Sequence, residues 1–192
     1  MKRVFVVHGW GGSPEREWFP WLKKELEARG LETHVLEMPN TNVPTIKEWI
    51  PFLAKAVKKA EKDTYFVGHS VGCQTILRYL QTIGEKVGGV VFVAGWLPAI
   101  SLNGISGDEI AVARPWIETP IDFEKVKKAT RKFTAIFSDN DPYVAPENMD
   151  AFRKNLGAKI MVEKKKGHFT QEDGCTELPV ALDELLKLMK ST

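Results

Sequence analysis

The sequence predicts a three-layer α/β fold: a mostly parallel sheet of six strands, covered by helices on both faces, in a single domain over residues 1–192. Three observations carry this. Short β-branched and aromatic runs alternate along the chain with stretches of helical period. Several of those runs are apolar almost throughout, as strands buried on both faces are. The chain has 192 residues, 43% hydrophobic and 27% charged, the size and balance of one globular domain.

The strands are expected at Arg3–His8, Glu32–Glu37, Thr64–Gly68, Gly89–Ala94, Phe133–Ser138 and Lys159–Glu163. Helical spacing links Trp18, Trp21, Leu22 and Leu26, then Ile46, Trp49, Ile50, Leu53 and Val57, and finally Leu178, Leu182, Leu185, Leu186 and Met189. Thr45 with Glu48 three residues on resembles a capping box, while Pro51 should kink this second helix or delay its start. Further helices are expected after Ser70, over Asp122–Thr130 and over Pro146–Leu156. The one long connection, residues 97–121, holds Gly104, Gly107, Pro115 and Pro120 and reads as a lid-like loop.

Composition excludes several classes. Lys and Arg number 27 against 25 Asp and Glu, a net charge of +2, without the basic excess of a nucleic-acid binder. The longest mostly apolar run, Gly88–Ile100, is 13 residues, short of the roughly 18 a membrane span needs. The first residues reach His8-Gly9 before any signal-peptide core develops, and the two cysteines, Cys73 and Cys175, make no disulfide framework. The expected location is cytoplasmic, with free thiols. No metal-ligand spacing occurs among His, Cys and carboxylates, and no cofactor motif is present: Pro14 stands where a dinucleotide fingerprint would need its third glycine.

The central motif is Gly68-His69-Ser70-Val71-Gly72, a G-x-S-x-G pentapeptide between a strand and a helix. In a chain of this composition about 0.04 chance matches are expected. The pattern holds a serine hydroxyl proud of the sheet on a sharp turn, with glycines where side chains would clash. Serine is a weak nucleophile unless a base takes its proton and an acid orients that base. On α/β sheets the chain order of these groups is Ser, Asp/Glu, His. His168, in Gly167-His168-Phe169 after the last strand, alone among four histidines has the right place. His34 lies within a strand, and His69 is expected to point away from the serine and pack.

Asp139 and Asp141 compete for the acid. Asp141, directly before Pro142 and three residues before Val144, is favoured, and Asp139 suits a turn cap. The oxyanion of acyl transfer needs backbone N–H donors; the Val71 amide should be one, and Trp10, in the glycine loop after the first strand, the other. His8, Trp96 and Trp116 are placed around a substrate pocket, although packing beneath the long connection accounts for Trp116 equally well.

These segments resemble the small serine hydrolases of the retinoblastoma-binding protein 9 type, a compact branch of the α/β-hydrolases. The likeness runs through Trp49-Ile50-Pro51-Phe52, the elbow pentapeptide, Arg114-Pro115-Trp116, Phe123-Glu124-Lys125-Val126-Lys127, Asp141-Pro142-Tyr143 and Gly167-His168-Phe169. It implies a minimal α/β-hydrolase and assigns Ser70, Asp141 and His168 to the family triad. Trp10 departs from the pattern, standing where the family's loop is smaller and richer in glycine, as does Cys73 after the elbow. The expected strand order is 2-1-3-4-5-6, with the site where the winding reverses. The expected reaction is hydrolysis of a small carboxylic ester, without cofactor, metal, nucleic acid or membrane. Two other readings fit the same residues: a partner-binding protein that retains the fold, or a peptidase, acyltransferase or perhydrolase on the same triad.

Overall fold

The computed structural model describes residues 1–97 and 107–190. In chain order the elements are β1 (Arg3–Val7), α1 (Phe19–Glu27), β2 (Glu32–Leu36), α2 (Ile46–Val57), β3 (Thr64–His69), α3 (Val71–Leu80), β4 (Gly89–Val93), α4 (Gly107–Glu118), α5 (Phe123–Ala129), β5 (Phe133–Ser138), α6 (Glu147–Leu156), β6 (Lys159–Glu163) and α7 (Pro179–Lys190). The sheet order is β2-β1-β3-β4-β5-β6, and every pairing is parallel. Each strand ends within one residue of its sequence-based expectation.

The apolar runs become central strands for the reason their composition gives. Every residue of β3, β4 and β5 is buried, whereas the edge strands β2 and β6 are partly exposed. Helices α1 and α7 pack together on one face; α2, α3, α5 and α6 form the chain of contacts on the other. Helix α3 is the most enclosed, with all ten residues buried. The winding reverses between β1 and β3, so a crevice opens beyond the carboxyl ends of these neighbours.

Helix α2 starts at Ile46 and runs through Pro51 without delay. The Thr45 hydroxyl accepts from the Glu48 amide at 3.3 Å and donates to the Glu48 carboxylate at 2.8 Å, which fixes the start. An interior proline costs about 3 kcal/mol. Burial of Trp49, Leu53 and Val57, at roughly 1.5–3 kcal/mol each, outweighs it.

The segment 97–121, expected as a lid-like loop, instead carries the helix α4 over Gly107–Glu118; its residues 98–106 lie outside the described residues. Pro115 reads as a breaker but is overruled by tertiary bonding. The guanidinium of Arg78, buried in α3, donates to the carbonyls of Trp116 at 2.8 Å, Thr119 at 2.7 Å and Pro120 at 3.3 Å. A buried cation thus satisfies carbonyls that the helix end leaves without amide partners. The Trp116 indole donates to Pro44 O at 2.9 Å and packs edge-on to Trp49, fixing α4 over α2.

Candidate active site

Ser70 joins β3 to α3 with φ 52° and ψ −120°. A left-handed serine costs on the order of 1–3 kcal/mol and persists only where its surroundings over-determine it. Here the Ser70 amide donates to Val93 O at 3.0 Å and its carbonyl accepts from the Cys73 amide at 2.9 Å. Both flanking glycines are sterically required. A Cβ on Gly72 would lie 2.2 Å from Val7 O, and one on Gly68 would lie 2.9 Å from the Cys73 amide nitrogen. Helix α3 is therefore pressed against the end of β1, its first amide, that of Val71, having no acceptor within the helix.

The loop after β1 runs beside the serine. A Cβ on Gly9 would fall 3.2 Å from Ser70 Cβ and 3.1 Å from His69 Nδ1, tight contacts that glycine avoids as the chain passes. The loop is folded by Gly12 N donating to Gly9 O at 3.2 Å and Gly11 N to Thr41 O at 2.8 Å. The Trp10 indole donates to Asn42 O at 2.9 Å, and its amide makes no backbone hydrogen bond among the described residues.

His168 meets Asp141 across 27 residues: its Nδ1 donates to the carboxylate at 2.9 Å and 3.1 Å. The Asp141 side chain is 2% exposed and that of His168 12%. Asp141 also accepts from the amides of Tyr143 at 2.9 Å and Val144 at 3.1 Å, which fix its rotamer. In the neutral imidazole with Nδ1 as the donor, the lone pair is on Nε2. Asp139 instead accepts from the Lys165 amide at 2.7 Å, closing the turn ahead of the histidine.

Sequence reasoning missed the residues that hold the His168 loop. Asp173 accepts from the His168 amide at 2.8 Å and from the Thr170 amide and hydroxyl at 3.1 Å and 2.8 Å. Its carboxylate fills the space a Gly167 Cβ would need, which explains that glycine at φ 51°. Burial pushes the Asp173 carboxyl up, but these donors outweigh it and its pKa falls below the ordinary value. Asn140 Oδ1 accepts from the Gly167 amide at 2.9 Å and the Ser138 hydroxyl at 2.8 Å. The only sequence signal for Asp173 is the Asp-Gly pair it forms with Gly174, which marks a turn and no more.

His69 does more than pack. Its Nε2 donates to the His168 carbonyl at 2.8 Å, while its ring lies against Trp18 and Phe19. Burial, reinforced by the neighbouring His168, lowers its pKa to about 3, so it stays a neutral donor. His8, expected at the pocket, lies beneath it. It is fully buried, accepts from the Met38 amide at 3.2 Å on Nε2, and donates from Nδ1 to Gly9 O at 2.8 Å. Burial lowers its pKa as well. The apolar run that ends β1 carries His8 into the core, where two backbone groups satisfy it.

Ser70, Val71, Trp10, His168, Trp96 and Trp116 line one cavity of about 350 Å³ at the carboxyl edge of the sheet. The Ser70 hydroxyl makes no hydrogen bond among the described residues, and Tyr143 packs edge-on to His168 at 5.1 Å. No cluster of three metal-ligating side chains occurs among the described residues. The sequence profile described as serine hydrolase matches residues 4–187.

The chain belongs to the serine hydrolase family.

Its relatives match along almost the whole chain. YdeN of Bacillus subtilis is 28% identical over 186 residues, 96% of this chain and 94% of its own. The crystal structure of YdeN superimposes with a TM-score of 0.90 over the whole of both chains at 27% identity. Serine hydrolase RBBP9 of Rattus norvegicus is 25% identical over 98% of this chain and 94% of its own. Est1E of Butyrivibrio proteoclasticus, at 16% identity and a TM-score of 0.72 over 98% of this chain and 88% of its own, shares the fold. The serine hydrolase described here has the α/β-hydrolase fold, and no helix among its described residues is long and apolar enough to cross a membrane.

Proposed function

We propose that this serine hydrolase cleaves small carboxylic esters through an acyl-enzyme on Ser70, with His168 as base and Asp141 as its orienting acid. The observation that carries the reading is the Asp141–His168 pair at 2.9 Å, whose histidine lines the same cavity as a serine held at φ 52°. Nδ1 is committed to Asp141, so Nε2 is the free acceptor for the serine proton. Apo hydroxyl–imidazole contacts are often long and close up when substrate binds.

In the first half-reaction Ser70 Oγ attacks the carbonyl carbon as His168 Nε2 takes its proton. The tetrahedral oxyanion is received by the Val71 and Trp10 amides, each such donor being worth about 3 kcal/mol. Collapse breaks the bond to the leaving alkoxide, which takes the proton from His168. In the second half, water gives its proton to Nε2 and attacks the acyl carbon, and collapse returns the proton to Ser70 Oγ. Asp141 stabilises the imidazolium in both halves.

The tryptophans of the cavity wall suit an apolar acyl or alcohol part, and α4, which brings Trp116 and Ala113 to that wall, takes the place of a lid. Both cysteines are buried and unpaired, which suits a reducing compartment and supports a cytoplasmic location. A fluorophosphonate probe is expected to label Ser70, and Ser70→Ala to abolish both labelling and p-nitrophenyl acetate turnover. Undiminished turnover in Ser70→Ala would overturn the mechanism.

A further inference from the structure

Glu17, in the connection between β1 and α1, has its side chain 8% exposed on the wall of the cavity, on a backbone at φ 55° that glutamate seldom adopts. Its Oε2 accepts from the Gln171 amide, three residues beyond His168. Its Oε1 has no hydrogen-bond donor among the described residues. The nearest cation is Arg16 Nε at 3.8 Å, and that guanidinium is hydrogen-bonded to Glu172. One guanidinium, 45% exposed and screened by solvent, thus serves two carboxylates. Desolvation raises the Glu17 carboxyl pKa, the mark of an anion short of compensation.

The rest of the wall has a matching character. Among the described residues no lysine or arginine lines it, and Glu109 of α4, which has a partner of its own, lies on the same wall. The cavity is therefore acidic in a protein whose net charge is +2. Trp10 and Tyr143 supply aromatic surface around the same space, with the buried rings of Phe19 and Trp116 behind it. Acid plus aromatic faces, without a competing cation, is the environment that favours an organic ammonium, through ion pairing and through the ring quadrupoles. An anionic ligand would be repelled, and a neutral one would leave Oε1 uncompensated.

We propose that the cavity takes an ester whose leaving alcohol carries an ammonium group, with Glu17 as its counter-ion. This rests on the reading of Ser70 and His168 given above and adds the charge of the substrate. The ammonium belongs on the alcohol because His168 delivers its proton to the leaving oxygen, and Glu17 is bonded to the loop that carries His168.

The test compares acetylcholine with 3,3-dimethylbutyl acetate, a neutral ester of nearly the same shape, beside p-nitrophenyl acetate. Wild-type kcat/KM is expected to favour the cation by roughly tenfold, expressed in KM, with tetramethylammonium inhibiting competitively. Glu17→Gln, which keeps an acceptor for Gln171, should bring the ratio close to one; Glu17→Asp, with its carboxylate drawn back by a methylene, should fall between. A wild-type ratio of one or less overturns the inference, as does a ratio that Glu17→Gln leaves intact. Turnover of p-nitrophenyl acetate alone sinks this inference but not the hydrolase reading. A wild-type protein that turns over none of the three esters and takes no fluorophosphonate label sinks both.

Discussion

His69 donates its Nε2 proton to the backbone carbonyl of His168 at 2.8 Å, so the residue before the elbow serine holds the loop of the proposed base. The proposed nucleophile and base are thereby tied through one buried ring, although 98 positions separate Ser70 from His168. His69→Ala is expected to lower kcat by roughly 10–100-fold with little change in KM, because misplacing a catalytic group by about 1 Å costs that much. His69→Gln, which restores a donor, should recover part of the loss. Steady-state kinetics with p-nitrophenyl acetate check both.

The same ring gives a pH dependence of stability. The pKa of His69 falls from 6.5 to about 3 on folding, with desolvation the largest cause, so below 6.5 the unfolded chain binds a proton that the native one refuses. Its contribution is complete above pH 6.5 and is lost progressively as the pH falls toward 3, by about 1.4 kcal/mol per unit at most. His8, lowered in the same direction, adds to the slope. Urea unfolding between pH 7.5 and pH 4.5 should show the decline, and His69→Gln should flatten it.

Asp141→Asn is expected to reduce kcat by about 10³–10⁴-fold, since an amide can present its NH₂ to Nδ1 and select the wrong tautomer. Asp139→Asn keeps an acceptor for the Lys165 amide, so its cost should stay below roughly tenfold. Kinetics of the two purified variants, with circular dichroism to confirm folding, decide the ranking.

Gly9→Ala tests the close passage of the β1 loop. The added methyl would sit 3.1–3.2 Å from His69 Nδ1 and Ser70 Cβ, so the loop must retreat by a few tenths of an ångström. Fluorophosphonate labelling of Ser70 should slow by about tenfold or more while the midpoint of thermal unfolding moves little, because Gly9 carries no left-handed φ.

Arg78→Met should destabilise the fold by roughly 3–5 kcal/mol by stripping the Trp116, Thr119 and Pro120 carbonyls of their buried cation. Guanidinium unfolding measures this directly. Trp116 loses one of its anchors in the same variant, keeping the indole bond to Pro44, so KM for bulky p-nitrophenyl esters should rise more than KM for the acetate.

Periodicity and punctuation made most of the frame readable from residue types alone. The apolar runs that became β3, β4 and β5 need no partner to announce burial, and Gly157 at the end of α6 takes the left-handed cap that glycine favours. Proline misled at α4: Pro115 reads as a stop, and the bonds that overrule it come from Arg78, 37 residues earlier. His8 misled as well, since a histidine at a strand end gives no sign of whether Met38 will meet it.

What residue order determines here is local: strand–helix alternation, the elbow at Ser70, and the succession of serine, acid and histidine. Each follows from side-chain periodicity or from backbone freedom within a few positions. What tertiary structure decided is pairing at a distance: Asp141 rather than Asp139 against His168, His69 and Asp173 holding the histidine loop, and Glu17 facing the cavity. Hydrogen bonds and charges act over a few ångströms of space, and only the folded chain brings groups so far apart in sequence within that range.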